Sequence, residues 1–332
     1  MGNRTSGEGL GQSLLNPKEK TDWEIGGGEG DLGEFKNQNG DLIGYRSWIP
    51  INKPRALVFL VHGLHEHGGR YSGFAHVLTA QGFAVFAHDH ISHGRSRMIQ
   101  DSMGLIPSMD EVIDDAVQFW KSIAQQYADL PVLVMGHSMG SIIAGNAMVV
   151  LKDADADVAA RVKGAVISGA SIKNGVNAAS PLGLKWLYCL NSCGPMMRCL
   201  TSGFAAADPT GPGAPLFDDF LSHDIEYVAA RRRDELVYHG WTRNKTAAEI
   251  YKGINSLHSN FTRFDYPVYI VHGGEDSICL PVSAQTWFER VASEQKEIKI
   301  YEGLYHEIIN EVEPQRTQVI TDIVAYFVGL LK

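Results

Sequence analysis

The segment PVLVMGHSMGSIIAGNAM, from Pro131 to Met148, contains a serine in surroundings that predict a nucleophile. An apolar run ends at Gly136, Ser138 stands between two glycines, and small apolar residues follow at helical spacing. Between a strand and a helix, G-x-S-x-G leaves the serine exposed on a strained turn. The N–H of Met139 then points to where an oxyanion would form. The alternative is a chance match to a short motif, which the strand before and the helix after disfavour.

A serine hydroxyl needs a general base, and the base needs an acid that orients it. In folds with this turn the chain order is serine, acid, histidine. Asp276 ends the strand-like segment VYIVHGGED, and His306 follows the strand-like segment EIKIYEG. The alternative for His306 is a solvated loop histidine. A weaker candidate for the acid is Glu275, which is expected to face away. Weaker candidates for the base are His272 inside its strand, His258 on a helix or loop, and His137 beside the serine.

Two histidine-rich loops follow the first two buried strands. The first, HGLHEHGGRY, offers the N–H of Leu64 as a second oxyanion donor. The alternative is a zinc site, with ligands from His62, His65 and His67 or from His88, His90 and His93. HDHISH approaches the H-x-H-x-D-H pattern of metallo-hydrolases, but Ser92 stands where the aspartate belongs. No second ligand set follows at a suitable distance, so we expect no metal and no cofactor.

Buried strands alternate with helices around these motifs, and this predicts an α/β fold with a mostly parallel, doubly wound sheet. The strand-like runs are ALVFLVHG, AVFAHDH, PVLVMGHS, GAVISGA, YPVYIVHGG and EIKIYEG, preceded by a hairpin around Asn39-Gly40. Ser108 and Glu111 predict a helix N-terminus. The alternation pauses between 171 and 242, which predicts an inserted helical cap. We therefore expect a flexible tail at 1–30, the two parts of the core at 31–170 and 243–332, and the cap between them.

Composition excludes several classes of protein. The chain has 332 residues, a net charge of -9 and no basic cluster, which argues against a nucleic-acid partner. It has no apolar run long enough to span a membrane and no secretory signal. Four cysteines are too few for a disulfide framework, so free thiols in a reducing cytosol are expected. These features predict a cytoplasmic protein.

Five motifs together resemble the monoacylglycerol lipase family of α/β-hydrolases. They are HGLHEHGGRY, FAHDHISHGRS, VMGHSMGS, HGGEDSIC and IYEGLYHE, and the resemblance extends from about Gly33 to Leu331. It implies the α/β-hydrolase fold and hydrolysis of monoacylglycerols to a fatty acid and glycerol. The implied roles are Ser138 as nucleophile, Asp276 as orienter, His306 as base, and Leu64 and Met139 as oxyanion donors. Cys279 matches a cysteine that the family often carries beside the acid. His65, Ser92 and Ser141 depart from glycines that are usual in the family.

The cap segment SPLGLKWLYCLNSCGPMMRCLTSGF is rich in apolar side chains that suit a long acyl chain. We expect Trp186, Leu187, Leu190 and Met196, together with Cys279, to contact a monoacylglycerol or a similar single-chain lipid ester. The alternative is that the cap residues only pack onto the core. A lysophospholipase or other carboxylesterase on the same triad is the competing function. A non-catalytic binding protein is disfavoured by the intact Ser138, Asp276 and His306.

The N-terminal sequence MGNRTS fits the myristoylation pattern M-G-x-x-x-[ST], with Gly2 as the acceptor. A chance match is the alternative. One myristoyl chain binds membranes only marginally and needs a second contact. The tail has neither a polybasic run nor a cysteine, so the apolar cap is the candidate for that contact. The sequence thus predicts weak, peripheral membrane association.

Overall fold

The structure, a computed structural model, describes residues 30–172, 203, 205–213 and 216–332. The lipidation candidate Gly2 and nearly all of the expected tail lie outside the described residues. So do four expected substrate contacts in the cap, namely Trp186, Leu187, Leu190 and Met196. The expectations for these residues therefore stay predictions.

One sheet of eight strands forms the centre of the fold, in the spatial order β1-β2-β4-β3-β5-β6-β7-β8. The strands are β1 Asp31–Lys36, β2 Leu42–Trp48, β3 Ala56–Val61, β4 Phe83–His88, β5 Val132–His137, β6 Val162–Ser168, β7 Val268–Gly273 and β8 Lys296–Tyr301. β1 and β2 form the hairpin around Asn39-Gly40, and β2 pairs antiparallel with β4. Every other pairing is parallel. The predicted mostly parallel sheet is confirmed.

Helices connect the parallel strands and cover both faces of the sheet. Within the described residues they are α1 Ser72–Ala80, α2 Met109–Gln126, α3 Met139–Ala154, α4 Ala156–Arg161, α5 Ile225–Arg233, α6 Asn244–Asn260, α7 Val282–Arg290 and α8 Gln315–Gly329. The predicted N-terminus of helix α2 is confirmed, since the Ser108 hydroxyl accepts a hydrogen bond from the N–H of Glu111 at 3.4 Å. Part of the expected cap segment is described, and it contains α5.

Two apolar layers enclose the sheet. One layer packs α2, α3, α6 and α7 against one face, and fully buried Phe59 and Trp120 lie in it. The other packs α1 and α8 against the opposite face around Phe327. β3, β4, β5 and β7 are buried along their whole length, which explains their uninterrupted apolar sequences. The parallel strands therefore present their carboxyl ends at one edge, where ligands bind in such folds.

Candidate active site

Ser138 lies on the sharp turn between β5 and α3. Its backbone has φ 53 and ψ -124, a strained conformation for a residue with a side chain. The turn is held because the N–H of Ser138 donates to the carbonyl of Ser168 at 2.9 Å. Gly140 permits the turn to dock, since a Cβ there would lie 2.0 Å from the carbonyl oxygen of Val61. Met139 begins α3, so its N–H has no acceptor within the helix, and its role as an oxyanion donor stays a prediction.

His306 and Asp276 contact each other at the ends of β8 and β7. His306 Nδ1 lies 2.6 Å from Asp276 Oδ2, and both side chains are buried. The other carboxylate oxygen, Oδ1, accepts from the N–H groups of Ile278 and Cys279, each at 2.9 Å. His272 Nε2 lies 3.1 Å from Oδ2. The carboxylate is thus fixed by four contacts, and it contacts His306 through Nδ1.

The charges of this pair support each other. Burial alone would raise the pKa of Asp276, but the adjacent His306 and the hydrogen bond from His272 hold it well below its usual range. Burial alone would lower the pKa of His306. The charge and hydrogen bond of Asp276, together with the charges of Glu307 and Glu66, outweigh burial and raise that pKa. Asp276 is therefore a carboxylate, and His306 is an imidazole whose protonated form is stabilised.

A second imidazole packs against His306. The ring of His137 lies 4.8 Å from that of His306, and its Nδ1 lies 3.3 Å from the hydroxyl of Ser168. Burial, aided by His306, lowers the pKa of His137 to about 3. His137 is therefore a neutral ring that limits where His306 can move.

The loop after β3 approaches the serine closely. A Cβ on Gly63 would lie 3.1 Å from the Cβ of Ser138, so a side chain there would crowd Ser138. The N–H of Gly63 donates to Glu66 Oε1 at 2.6 Å, and His65 reverses the chain at φ 64. Leu64 lies between these two fixed points. The loop is thus held by its own residues, and the role of the Leu64 N–H as an oxyanion donor stays a prediction.

The histidine-rich loops are bound to each other by their own hydrogen bonds. The ring of His62 lies 3.9 Å from that of His90. His62 Nε2 accepts from the N–H of His90 at 2.9 Å, and His90 Nε2 lies 3.0 Å from the carbonyl of His62. Burial lowers the pKa of His88 and of His93 to about 4. In the part of the chain that the structure describes, no group of three His, Cys, Asp or Glu side chains is arranged to hold a metal ion.

Comparison with known proteins identifies the family. A family model described as "Serine aminopeptidase, S33" matches residues 52–313. A monoacylglycerol lipase of Mycolicibacterium smegmatis is 30% identical over 90% of this chain and 96% of its own. The monoglyceride lipase of Mus musculus is 27% identical over 88% of this chain and 89% of its own. The chain belongs to the monoacylglycerol lipase family. The resemblance seen in the sequence motifs is confirmed.

Membership of the family makes the chain an enzyme, a carboxylic ester hydrolase of the lipase type. The fold agrees with this. The structure of a soluble variant of the Saccharomyces cerevisiae monoglyceride lipase superposes with a TM-score of 0.74. That pair is 21% identical and covers 91% of this chain and 95% of the other. Among the described residues, no helix combines the length and the apolar character needed to cross a membrane.

The cysteine chosen from the sequence lies beside the serine. Cys279 is buried, and its thiol is within hydrogen-bonding reach of the hydroxyls of Ser138 and Ser171. Burial and the charge of Asp276 raise the pKa of this thiol, so it is protonated at neutral pH. Its contact with substrate stays a prediction.

Two residues near the site were not predicted from the sequence in this role. His272 was treated as a strand residue, yet it contacts Asp276, and its Nδ1 accepts from the N–H of Ala170 at 3.2 Å. Glu307, directly after His306, is buried and charged within a network that reaches the loop after β3. For Glu307 the only signal was its position directly after His306.

Proposed function

We propose that this family member hydrolyses monoacylglycerols to a fatty acid and glycerol, with Ser138 as nucleophile, His306 as general base and Asp276 as its orienter. The observation that carries the proposal is the 2.6 Å contact between His306 Nδ1 and Asp276 Oδ2 at the edge of the sheet where Ser138 lies half-buried on its turn. The names of the relatives support the substrate, since two are lipases of monoacylglycerols.

In the first half of the reaction Ser138 Oγ attacks the ester carbonyl while His306 Nε2 accepts the hydroxyl proton. The oxyanion that forms receives hydrogen bonds from the N–H groups of Leu64 and Met139. His306 then gives its proton to the departing glycerol oxygen, and Ser138 carries the acyl group. Asp276 stabilises the imidazolium without accepting its proton.

In the second half a water molecule attacks the acyl-enzyme. His306 takes a proton from the water, and the same two N–H groups stabilise the second oxyanion. Collapse of this intermediate releases the fatty acid and returns the proton from His306 to Ser138. The residues Trp186, Leu187, Leu190, Met196 and Cys279 are proposed to contact the acyl chain.

The nucleophile is tested with a fluorophosphonate probe and the variant Ser138→Ala. We expect the probe to label Ser138 in the wild type, and the variant to lose labelling and esterase activity while staying folded. Ser259→Ala, at an exposed position on α6, is the matched control and should keep both. Near-wild-type turnover by folded Ser138→Ala protein would exclude this mechanism.

The substrate is tested by profiling purified enzyme against monoacyl-, diacyl- and triacylglycerols and lysophospholipids of one chain length. We expect monoacylglycerols to be cleaved fastest. Faster cleavage of lysophospholipid would instead assign a lysophospholipase on the same residues. A preference for triacylglycerol emulsions would contradict the proposed substrate class.

We further propose that Gly2 is myristoylated and supports weak, reversible membrane association. A single myristoyl chain binds with a constant of about 10⁴ M⁻¹, so the cap must supply the second contact. Intact-mass analysis of protein from its native cell tests the modification. Co-sedimentation with phosphatidylcholine vesicles should fall in Gly2→Ala and in variants with polar residues at Leu187 or Leu190. An unmodified Gly2 would end the anchoring proposal.

A further inference from the structure

A buried polar network begins at the residue after the base. The side chain of Glu307 is 5% exposed. Its carboxylate accepts hydrogen bonds from the hydroxyl of Tyr227, on α5, and from Asn310 Nδ2 at 3.0 Å. Arg70 Nη2 lies 3.8 Å from the same oxygen, Oε2. Every partner of Glu307 in this network is a donor or a cation, which is the environment of an ionised carboxylate.

The same guanidinium reaches a second carboxylate, that of Glu66 in the loop after β3. Arg70 Nε lies 3.4 Å from Glu66 Oε2, and both side chains are 6% exposed. Glu66 Oε1 accepts from the N–H of Gly63 and, at 2.9 Å, from the hydroxyl of Tyr71. One arginine therefore connects the loop that approaches Ser138 with the residue beside the base.

The charges in this network do not cancel. Two buried carboxylates share one guanidinium. Burial and the charge of Glu307 raise the pKa of Glu66, whereas Arg70 and the hydrogen bonds from Gly63 and Tyr71 lower it. With both carboxylates ionised, one surplus negative charge remains in the network that begins at Glu307, the residue after His306. Water screens buried charges poorly, so this surplus acts on a proton bound to His306. The charges of Glu307 and Glu66 both favour the protonated form of that ring.

We propose that Glu307, assisted by Glu66, is a positioning residue for the base: the pair holds a buried negative charge that stabilises the imidazolium of His306 as it forms in the transition state. The proposal rests on the proposed function, since it takes His306 as the base. It adds a second source of negative charge to that of Asp276. Arg70 and Tyr227 keep the two carboxylates in place.

The other groups that face His306 come from separate elements. Asp276 contacts it from the loop after β7, and His137 packs on it from the end of β5. His272 reaches it only through Asp276. Of these, only Asp276 carries a negative charge, so removing Glu307 or Glu66 changes the field at His306 without breaking its hydrogen bond.

The test is the pH dependence of kcat/KM on a soluble monoacyl ester in wild type, Glu307→Gln and Glu66→Gln. Activity falls below the pKa of His306, because the protonated ring cannot accept a proton. Loss of a negative charge lowers that pKa, so the acid limb should move to lower pH. We expect a shift of about 0.5–1 pH unit in each variant, with a plateau lower by about 3- to 10-fold.

Glutamine keeps an acceptor for Tyr227 in one variant and for Gly63 in the other, so each replacement removes charge while keeping shape. Glu275→Gln is the matched control, since it removes an exposed carboxylate next to Asp276. The acid limb of its kcat/KM profile should stay at the wild-type pH. If one variant does not fold, the other decides. Folded variants with unmoved acid limbs, or an equal shift in Glu275→Gln, would overturn the proposal.

The rate of Ser138 labelling by a fluorophosphonate, measured across the same pH range, reports on the base without turnover. It should show the same shift as kcat/KM. If the probe does not label Ser138 in the wild type, the proposed function fails. If it labels Ser138 and the limb does not move in either variant, only the role of Glu307 and Glu66 fails.

Discussion

At the scale of single residues, Asp276 is the most constrained group of the site, because its two oxygens face two imidazoles and two backbone N–H groups. Asp276→Asn keeps the size of the side chain but removes the charge that stabilises the imidazolium of His306. An amide nitrogen facing His306 also favours the wrong tautomer. We expect kcat to fall by about 10⁴-fold while the protein stays folded.

Steady-state kinetics on a monoacyl ester, with circular dichroism as the folding check, measures this effect. Glu275→Gln is the control, because Glu275 is exposed where Asp276 is buried, and its kcat should stay near that of the wild type. A mild loss in Asp276→Asn combined with a severe loss in Glu275→Gln would assign the acid to Glu275 instead.

The order of motifs was enough to select Asp276 and His306, and the structure brings these two side chains into contact. The roles of His272 and Glu307 could not be predicted in the same way. His272 lies inside an apolar strand, where a buried histidine usually has only a structural role. Its contact with Asp276 depends on the turn after β7. Glu307 acquires its partners Arg70 and Tyr227 from distant parts of the chain, and no local pattern encodes those contacts.

At the scale of elements, the position of Ser138 depends on how closely α3 packs against the end of β3. A methyl group on Gly140 would meet the carbonyl oxygens of Val61 and His62 at 2.0 and 2.6 Å. Both are strand-end backbone atoms that cannot rotate away. We therefore expect Gly140→Ala to lower the free energy of unfolding by about 3 kcal/mol or more and to displace the serine.

Urea denaturation measures the loss, and fluorophosphonate labelling reports on the displacement. Gly329→Ala is the matched control, because a Cβ at the end of α8 would meet no atom within 4 Å. That variant should be as stable as the wild type or slightly more so. A Gly140→Ala protein with wild-type stability and labelling would show that the close contact does not set the turn.

The buried strands were predictable because strands covered on both faces are uninterrupted apolar runs. The residues at which these strands begin and end were less predictable. β6 begins at Val162 rather than at residue 164, since Val162 still pairs with Val132 of β5. The order of the strands was not predictable from local pattern, because the antiparallel pairing of β2 with β4 depends on contacts across the whole sheet. α4 is short and was not predicted, and α5 was predicted only as part of a helical cap without bounds.

At the scale of the whole molecule, stability depends on pH through histidines that are buried in neutral form. Burial is the main cause that lowers the pKa of six of them, His62, His65, His88, His90, His93 and His137. The unfolded chain binds protons at these rings near pH 6.5, whereas the folded chain does not. Their contribution is therefore fully present above pH 6.5 and is lost as the pH falls from 6.5 towards 4.

His88 is the best position for testing this linkage, since its pKa falls to about 4 through burial alone. Both of its ring nitrogens lack a hydrogen-bond partner among the described residues, and the ring lies 5.2 Å from that of Phe119. A shift of this size corresponds to about 3 kcal/mol of stability lost by pH 4. An apolar ring at this position would remove that loss.

We therefore expect the urea midpoint of the wild type to fall steeply between pH 7 and pH 4.5, and the fall to be smaller in His88→Phe. His76→Gln, at a partly exposed position on α1, is the control and should follow the wild type. For each protein, the urea midpoint at pH 4.5 is subtracted from the midpoint at pH 7. A packing effect of phenylalanine that is the same at both pH values therefore cancels. An equal fall in wild type and His88→Phe would mean that acid unfolding in this range is driven by other groups, the remaining buried histidines first among them.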